Sequence, residues 1–137
     1  GKMEPMLYII WNKENDLGIS IIDEQHRGIV STINSFQYFV RQGRGPDVLK
    51  PTLRILELYS HLHFITEEAL MRRAEYPDYD DHVLLHGRLM EKTRLIARGE
   101  TSDEEVEQAL KFLRDWWLGH INTQDRKYAP AVKKLFA

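Results

Sequence analysis

The chain has 137 residues, room for one domain with its own core and not for two well-built ones. It contains no cysteine, which excludes disulfides, thiolate metal sites, iron–sulfur clusters and cysteine nucleophiles. Its 19 Lys and Arg against 21 Asp and Glu leave a net charge of −2, so nothing in the balance points to nucleic acid.

Strand signals are weak along the whole chain and helical periodicity is strong. An arm from Met3 to Gly18, within a leading segment 1–19, has Trp11 as its anchor. Ile22, Ile29, Ile33, Phe36 and Val40 then recur at helical spacing and predict a first helix from Ser20 to Gln42. Ser20 is its expected cap, and Asp23 would place a carboxylate on the positive helix end. Gly43-Arg44-Gly45-Pro46 should end it. A second helix is expected to start between Asp47 and Pro51, because proline fits only a first turn, and to run through Leu53, Leu56, Leu62 and Leu70 to about Arg73. Pro77 with Asp78, Asp80 and Asp81 marks a turn into a third helix, which carries Val83, Leu89 and Ile96 to a cap at Gly99. Thr101 or Ser102 with Glu104 or Glu105 reads as a capping box. A fourth helix follows with Val106, Leu110, Leu113 and Trp117, and a shorter helical segment from Arg126 to the end. The expected architecture is all-α: an up-down-up-down four-helix bundle over about 20–120, with a C-terminal segment over about 121–137. Gly1 and Lys2 read as residues left from a longer parent chain or added ahead of the natural start. The absence of a membrane-length apolar run and of a secretory leader pattern makes the cytoplasm the expected address and a membrane partner unexpected.

The chemistry lies in the histidines. Taken singly, each of His26, His61, His63, His82, His86 and His120 is most simply a surface or satisfied core residue. Their arrangement says more. His82 and His86 are four apart, about 40° around one helix, and His63 and Glu67 repeat that spacing on the helix before. His26 keeps step with Ile22, Ile29 and Ile33, and His120 with Leu113, Trp116 and Trp117. Each of the four helices therefore aims a metal-ligating side chain at the bundle axis. Burying so many polar groups is unfavourable unless something satisfies them, and a metal would. Imidazole and carboxylate without thiolate suit iron, zinc, manganese or copper. Asp125 stands apart. Five residues after His120, it is about 140° away on an ideal helix. Weak helix formers at Gly119, Asn122 and Thr123 suggest that the helix loosens there. An irregular turn would swing Asp125 back to the centre; otherwise it is a solvated aspartate at a helix end.

Ile22-Asp23-Glu24-Gln25-His26, His63-Phe64-Ile65-Thr66-Glu67-Glu68, His82-Val83-Leu84-Leu85-His86 and His120-Ile121-Asn122-Thr123-Gln124-Asp125 resemble, in order, the motifs of the hemerythrin family. The Trp11 arm with Leu17-Gly18, and Tyr76-Pro77 before the third helix, are similar to its bacterial branch. The resemblance runs from about Ile10 to Lys133. It implies a four-helix bundle around a non-haem di-iron centre with a bridging oxo or hydroxo group, binding O2 reversibly as hydroperoxide. By the same resemblance His82, His86 and His120 would ligate one iron, His26 and His63 the other, and Glu67 and Asp125 would bridge. One coordination position then stays open, on the iron with two histidines. Ile29, Phe64, Trp116, Ile121 and Tyr128 fall where the family's oxygen pocket is lined, and are equally positions of ordinary bundle core. Trp117 departs from the pattern, where a smaller aliphatic side chain is common, and would narrow the pocket. His61 reads as a surface group, and Glu68 as solvated or supporting a ligand.

The function expected is oxygen carriage, storage or delivery, by a binding protein and not an enzyme, since no separate acid or base stands out. The rivals are an O2- or redox-sensing domain attached to an output domain in a longer parent chain, a di-iron peroxide or nitric oxide reductase, and a bundle whose histidines bind zinc or nothing. Nothing in the sequence sets the oligomeric state.

Overall fold

The computed structural model describes residues 6–137; Gly1, Lys2 and the start of the arm from Met3 to Pro5 lie outside the described residues. Four long helical stretches make an antiparallel bundle, and no strand occurs among the described residues. They are α1 (Ser20–Arg41), α2 (Gly45–Arg73), α3 (Tyr79–Arg98) and α4 (Asp103–Phe112). The last continues without a break through two π-helical stretches, Leu113–Leu118 and His120–Asp125, into α5 (Arg126–Lys133). No described helix is long and apolar enough to cross a membrane.

The ends of the helices differ from the simplest reading in instructive ways. Ser20 is the first helical residue and not the cap; Ile19 precedes it with no side-chain cap bond. Asp23 reaches back instead and accepts from the Leu17 and Gly18 amides at 2.7 and 3.0 Å, tying the arm to α1. Gly43 ends α1 in the left-handed region at φ 77°, as its lack of a Cβ allows. Gly45 is no terminator. It opens α2, buried where a Cβ would stand 2.6 Å from Val106 Cγ1. Pro46 pre-sets the first turn, so α2 begins ahead of the expected start and contains Pro51. That ring is exposed, and the carbonyl it leaves unbonded, on exposed Asp47, can turn to water. After α2, Tyr76 N bonds Met71 O and Glu75 N bonds Arg72 O, a Schellman close with Glu75 at φ 52°. Ser102 caps α4 by accepting from the Glu105 amide.

The expected core residues of α1 and α4 are buried except Val40, which is half-buried against the cluster, but Leu62 on α2 is 58% exposed and faces away from the bundle. The core is in two parts. A larger cluster holds Ile29, Ile33, Phe36, Leu53, Leu56, Phe64, Leu89, Leu110 and Trp117. A smaller one at the other end holds Leu17, Ile22, Leu70, Met71, Tyr128 and Val132. On α1, α2 and the α4–α5 rod, the residues between these clusters include the buried polar ones: His26 on α1, His63 and Glu67 on α2, His120 and Asp125 on the rod. The arm closes one flank. Ile9 exchanges two 2.8 Å backbone bonds with the Asn34 amide, and Trp11 Nε1 donates to Asp16 at 2.9 Å.

Candidate metal centre

Seven side chains form the polar layer: His26, His63, Glu67, His82, His86, His120 and Asp125, none more than 7% exposed. Regular helix geometry delivers most of them. Residues four apart on α2 and α3 bring His63 with Glu67, and His82 with His86, to one inward face. The pair His120 and Asp125 needs other geometry. In a π-helix the hydrogen bonds run i→i+5, so residues five apart come close to overlying each other. The loosening expected near Gly119 is therefore a widening of the coil, and it turns Asp125 inward on His120's face, fully buried.

Two overlapping groups result. His82, His86, His120 and Asp125 have donor atoms all within 4.8 Å of one another, and so do His26, His63, Glu67 and Asp125. Asp125 belongs to both. Its Oδ2 is 2.9 Å from His26 Nε2, and its Oδ1 is 2.9 and 3.0 Å from His82 and His120 Nε2. Glu67 Oε1 is 2.7 Å from His63 Nε2 and 3.5 Å from His86 Nε2, while Oε2 is 4.0 Å from His82 Nε2. Thus each carboxylate touches histidines of both groups.

Most of these short approaches are not hydrogen bonds. Both Glu67 oxygens, Asp125 Oδ1 and the Nε2 atoms of His82, His86 and His120 are buried without a partner in hydrogen-bonding geometry. Orphaned buried donors and acceptors are costly, and so many in one layer converge on common points rather than on each other. That is how a metal's donor atoms are arranged, and an all-nitrogen-and-oxygen donor set fits iron. The outer ring nitrogens are set accordingly. His63 Nδ1 donates to Gln25 Oε1 at 2.7 Å, Gln25 Nε2 donates to Thr66 Oγ1 at 3.2 Å, and Thr66 donates to the Leu62 carbonyl at 3.0 Å. His86 Nδ1 donates to Glu68 Oε2 at 2.9 Å. Both relays leave Nε2 bare toward the interior, the tautomer a metal requires.

The electrostatics of the metal-free layer agree. Burial and the charge of Asp125 push the Glu67 carboxyl up, but the His63 and His86 imidazoles outweigh them and bring it down to about 2. Burial likewise opposes ionisation of Asp125, and His120, His26 and His82 overcome it and hold the carboxyl well below its ordinary range. Burial lowers His63 and His120, yet the facing carboxylates raise both above the ordinary imidazole value. Tyr128 is driven well above 10 by burial and by the Glu67 and Asp125 charges, so its phenol stays protonated.

An apolar wall stands on one side. Phe64 stacks on His86 with ring centroids 3.8 Å apart, and Trp117 stacks on Phe64 at 5.6 Å and 6°. Ile29 and Ile121 are buried, and Tyr128 meets His82 edge-on at 5.4 Å. Trp117 is buried and its indole N–H has no acceptor. Trp116 does not join this wall. It is 50% exposed, because one residue step on the widened helix turns it outward, and it borders an external cavity of about 370 Å³ shared with Leu89 and His120. His61 is exposed, as expected for a surface group, and Glu68 supports a histidine. Gln25 carries no metal-ligating side chain of the kind that spacing alone marks. Its signal is a polar residue on the flank of α1 beside His26, but only the α1–α2 register shows that it meets His63.

A family model described as the hemerythrin HHE cation binding domain matches residues 17–132. A bacteriohemerythrin of Pseudomonas aeruginosa is 30% identical over 129 residues, 93% of this chain and 84% of its own length. A hemerythrin from Sipunculus nudus is 29% identical over 87% of this chain and 89% of its own. A crystal structure of wild-type hemerythrin, 23% identical, shares the fold with a TM-score of 0.78 over 91% of this chain and 98% of that one. With the bundle, the buried donor layer and a family match over most of its length, the chain belongs to the hemerythrin family.

Proposed function

We propose that the chain, read as one domain over 1–137, is a non-haem di-iron protein of the cytoplasm that binds O2 reversibly, for oxygen carriage, storage or delivery. The observation that carries this reading is the shared layer of orphaned donors: two groups of ligating atoms, both including Asp125. His82, His86 and His120 would hold one iron, His26 and His63 the other, and Glu67 and Asp125 would lie between them. An iron pair supplies the two electrons that O2 takes up on binding and returns on release.

The chain's own residues do the rest. Gln25 and Glu68 orient His63 and His86. Phe64, Trp117, Ile29 and Ile121 form a dry wall that keeps water from the centre, which slows irreversible oxidation. Tyr128 keeps its proton beside the carboxylates. The donor set is poor in carboxylate, two anions to five imidazoles, which stabilises high-valent iron less than a carboxylate-rich set and favours carrying oxygen over cleaving it.

The experiment is metal analysis with the visible spectrum of anaerobically reduced protein before and after O2. Two irons per chain, with a visible band that appears with O2 and fades when O2 is removed, is the expected result. Two irons with immediate, irreversible oxidation would overturn reversible binding and favour redox sensing or peroxide or nitric oxide reduction. Absence of iron binding would overturn the reading as a whole.

A further inference from the structure

The outer face of α2 carries an apolar stripe that the bundle does not use. Pro51, Ile55, Leu58, Leu62, Ile65 and Ala69 are all exposed, with Ile55 at 54%, Leu58 at 68%, Leu62 at 58% and Ile65 at 53%. Their spacing is four, three, four, three, four, the seam of a helix that packs on another helix. The opposite side of the same helix already faces the core with Leu49, Leu53, Leu56, Ser60, His63, Glu67 and Leu70. The α1 side is taken up by the Gln25–Thr66 contact and the α3 side by the Arg94–Glu57 and His86–Glu68 contacts. The stripe therefore has no partner among the described residues. Its four large side chains present on the order of 400 Å² of apolar surface, the size at which a patch on a monomer is often functional.

We propose that this stripe is the interface of a homodimer, in which α2 of one chain packs antiparallel on α2 of a second copy. The stripe is symmetric in spacing, as any alternating three-and-four seam is, and its four large side chains, Ile55, Leu58, Leu62 and Ile65, are also a palindrome in residue type. About a twofold axis at residue 60, Leu58 meets Leu62 of the partner subunit, Ile55 meets Ile65 of the partner subunit, and Pro51 meets Ala69 of the partner subunit. A twofold axis requires one patch to complement itself, and this order of isoleucine and leucine does so. The flanking charges agree with the same axis. Arg54, exposed and without an ion-pair partner among the described residues, comes opposite Glu68 of the partner subunit, twice per dimer. On the same flank exposed His61 comes opposite its own counterpart, and the other flank, where Thr52 is buried and Tyr59 and Thr66 are half-buried, carries no charged side chain. A net charge of −2 gives little repulsion between copies. The interface lies toward the small end of specific contacts, which sets the expected affinity in the micromolar range. Because Glu68 also holds His86, an Arg54 contact across the axis would brace a histidine of the metal layer.

The test is sedimentation velocity of the purified chain, iron-loaded and metal-free, from about 10 to 500 µM. A dimer with a micromolar Kd is expected. Leu58→Lys and Leu62→Lys, at exposed positions that leave the core intact, should each weaken it roughly 30-fold or more, with helical circular dichroism unchanged. Arg54→Glu should weaken it several-fold. The chain has no native cysteine, so mild oxidation of a mixture of Leu58→Cys and Leu62→Cys chains reads the register. Antiparallel packing yields the mixed disulfide and little of either homodimer. A wild-type chain that stays monomeric to 500 µM, a dimer unaffected by either lysine, or homodimeric crosslinks in preference to the mixed one would each overturn the proposal.

Discussion

Two helices deliver pairs of candidate metal-ligating residues to the same layer by different geometry. On α2, His63 and Glu67 are four apart on a regular helix. On the rod that starts as α4, His120 and Asp125 are five apart, and a π-helical stretch aligns them. The first pair follows from helix geometry alone. The second exists because local bonding changed to i→i+5, a rare form that recurs at functional sites. A site can therefore recruit a residue whose α-helical position would face solvent, at the cost of poorer local bonding. The loss is absorbed where Gly119, Asn122 and Thr123 give up little helical preference. The two helices also meet face to face, Phe64 of α2 against Trp117 of the π-helical rod.

The largest expected effect separates the two carboxylates. Asp125→Ala should reduce iron from two per chain to one or none, measured by metal analysis with circular dichroism to confirm the fold. Glu67→Ala should lower iron content less, because Asp125 approaches three histidines within 3.0 Å and Glu67 only one. An Asp125→Ala protein that retained two irons would remove the π-helical segment from the site. Next, Gln25→Leu cuts the relay behind His63 while leaving the ligand in place. Iron affinity measured by chelator competition should fall about 10- to 100-fold. Gln25→Glu, which keeps an acceptor for His63 Nδ1, should restore most of it. Trp117→Leu tests the meeting of the two helices. It should cost about 2–3 kcal/mol in chemical denaturation, from lost stacking and a cavity, and should change both the on- and off-rates of O2. Unchanged O2 rates would take the indole out of the pocket.

The smallest effect is in pH. In the metal-free chain the folded-state pKa values of His63 and His120 are raised, so their pairing with Glu67 and Asp125 stabilises the fold below the unfolded imidazole value of about 6.5. That stability is lost as pH rises through the folded values. The melting temperature of metal-free protein should therefore fall by several degrees between pH 6 and pH 9. The depressed carboxylates act at the other end: their contribution is present above the ordinary carboxyl range and is lost as pH falls from that range through the folded value, about 2 for Glu67 and well below the ordinary range for Asp125. With metal bound the histidines are deprotonated throughout, and the fall between pH 6 and pH 9 should shrink. An equal fall in loaded and metal-free protein would mean that His63 and His120 are not the groups responsible.

Much of this molecule follows from its sequence. The helices, the inward histidines of α1, α2 and α3, and the pairs His63–Glu67 and His82–His86 all rest on a period of 3.6 residues, which short-range bonding enforces wherever the chain is helical. Sequence also marked Gly119 to Thr123 as a weak stretch, but not the form the weakness takes. The choice between an ended helix, a loop and a π-helix is made by what the following residues must pack against. Here Tyr128, Ala129 and Val132 complete the smaller core against Ile22 and Met71, and that packing turns the coil enough to bring Asp125 inward. The same holds for Trp116 and Trp117, adjacent and chemically identical, of which the register with Phe64 buries one and exposes the other. Leu62 and Gln25 make the point at either extreme. One is apolar and outside, the other polar and at the metal layer, because the neighbours of a helix face are chosen by the bundle and not by the residues on that face.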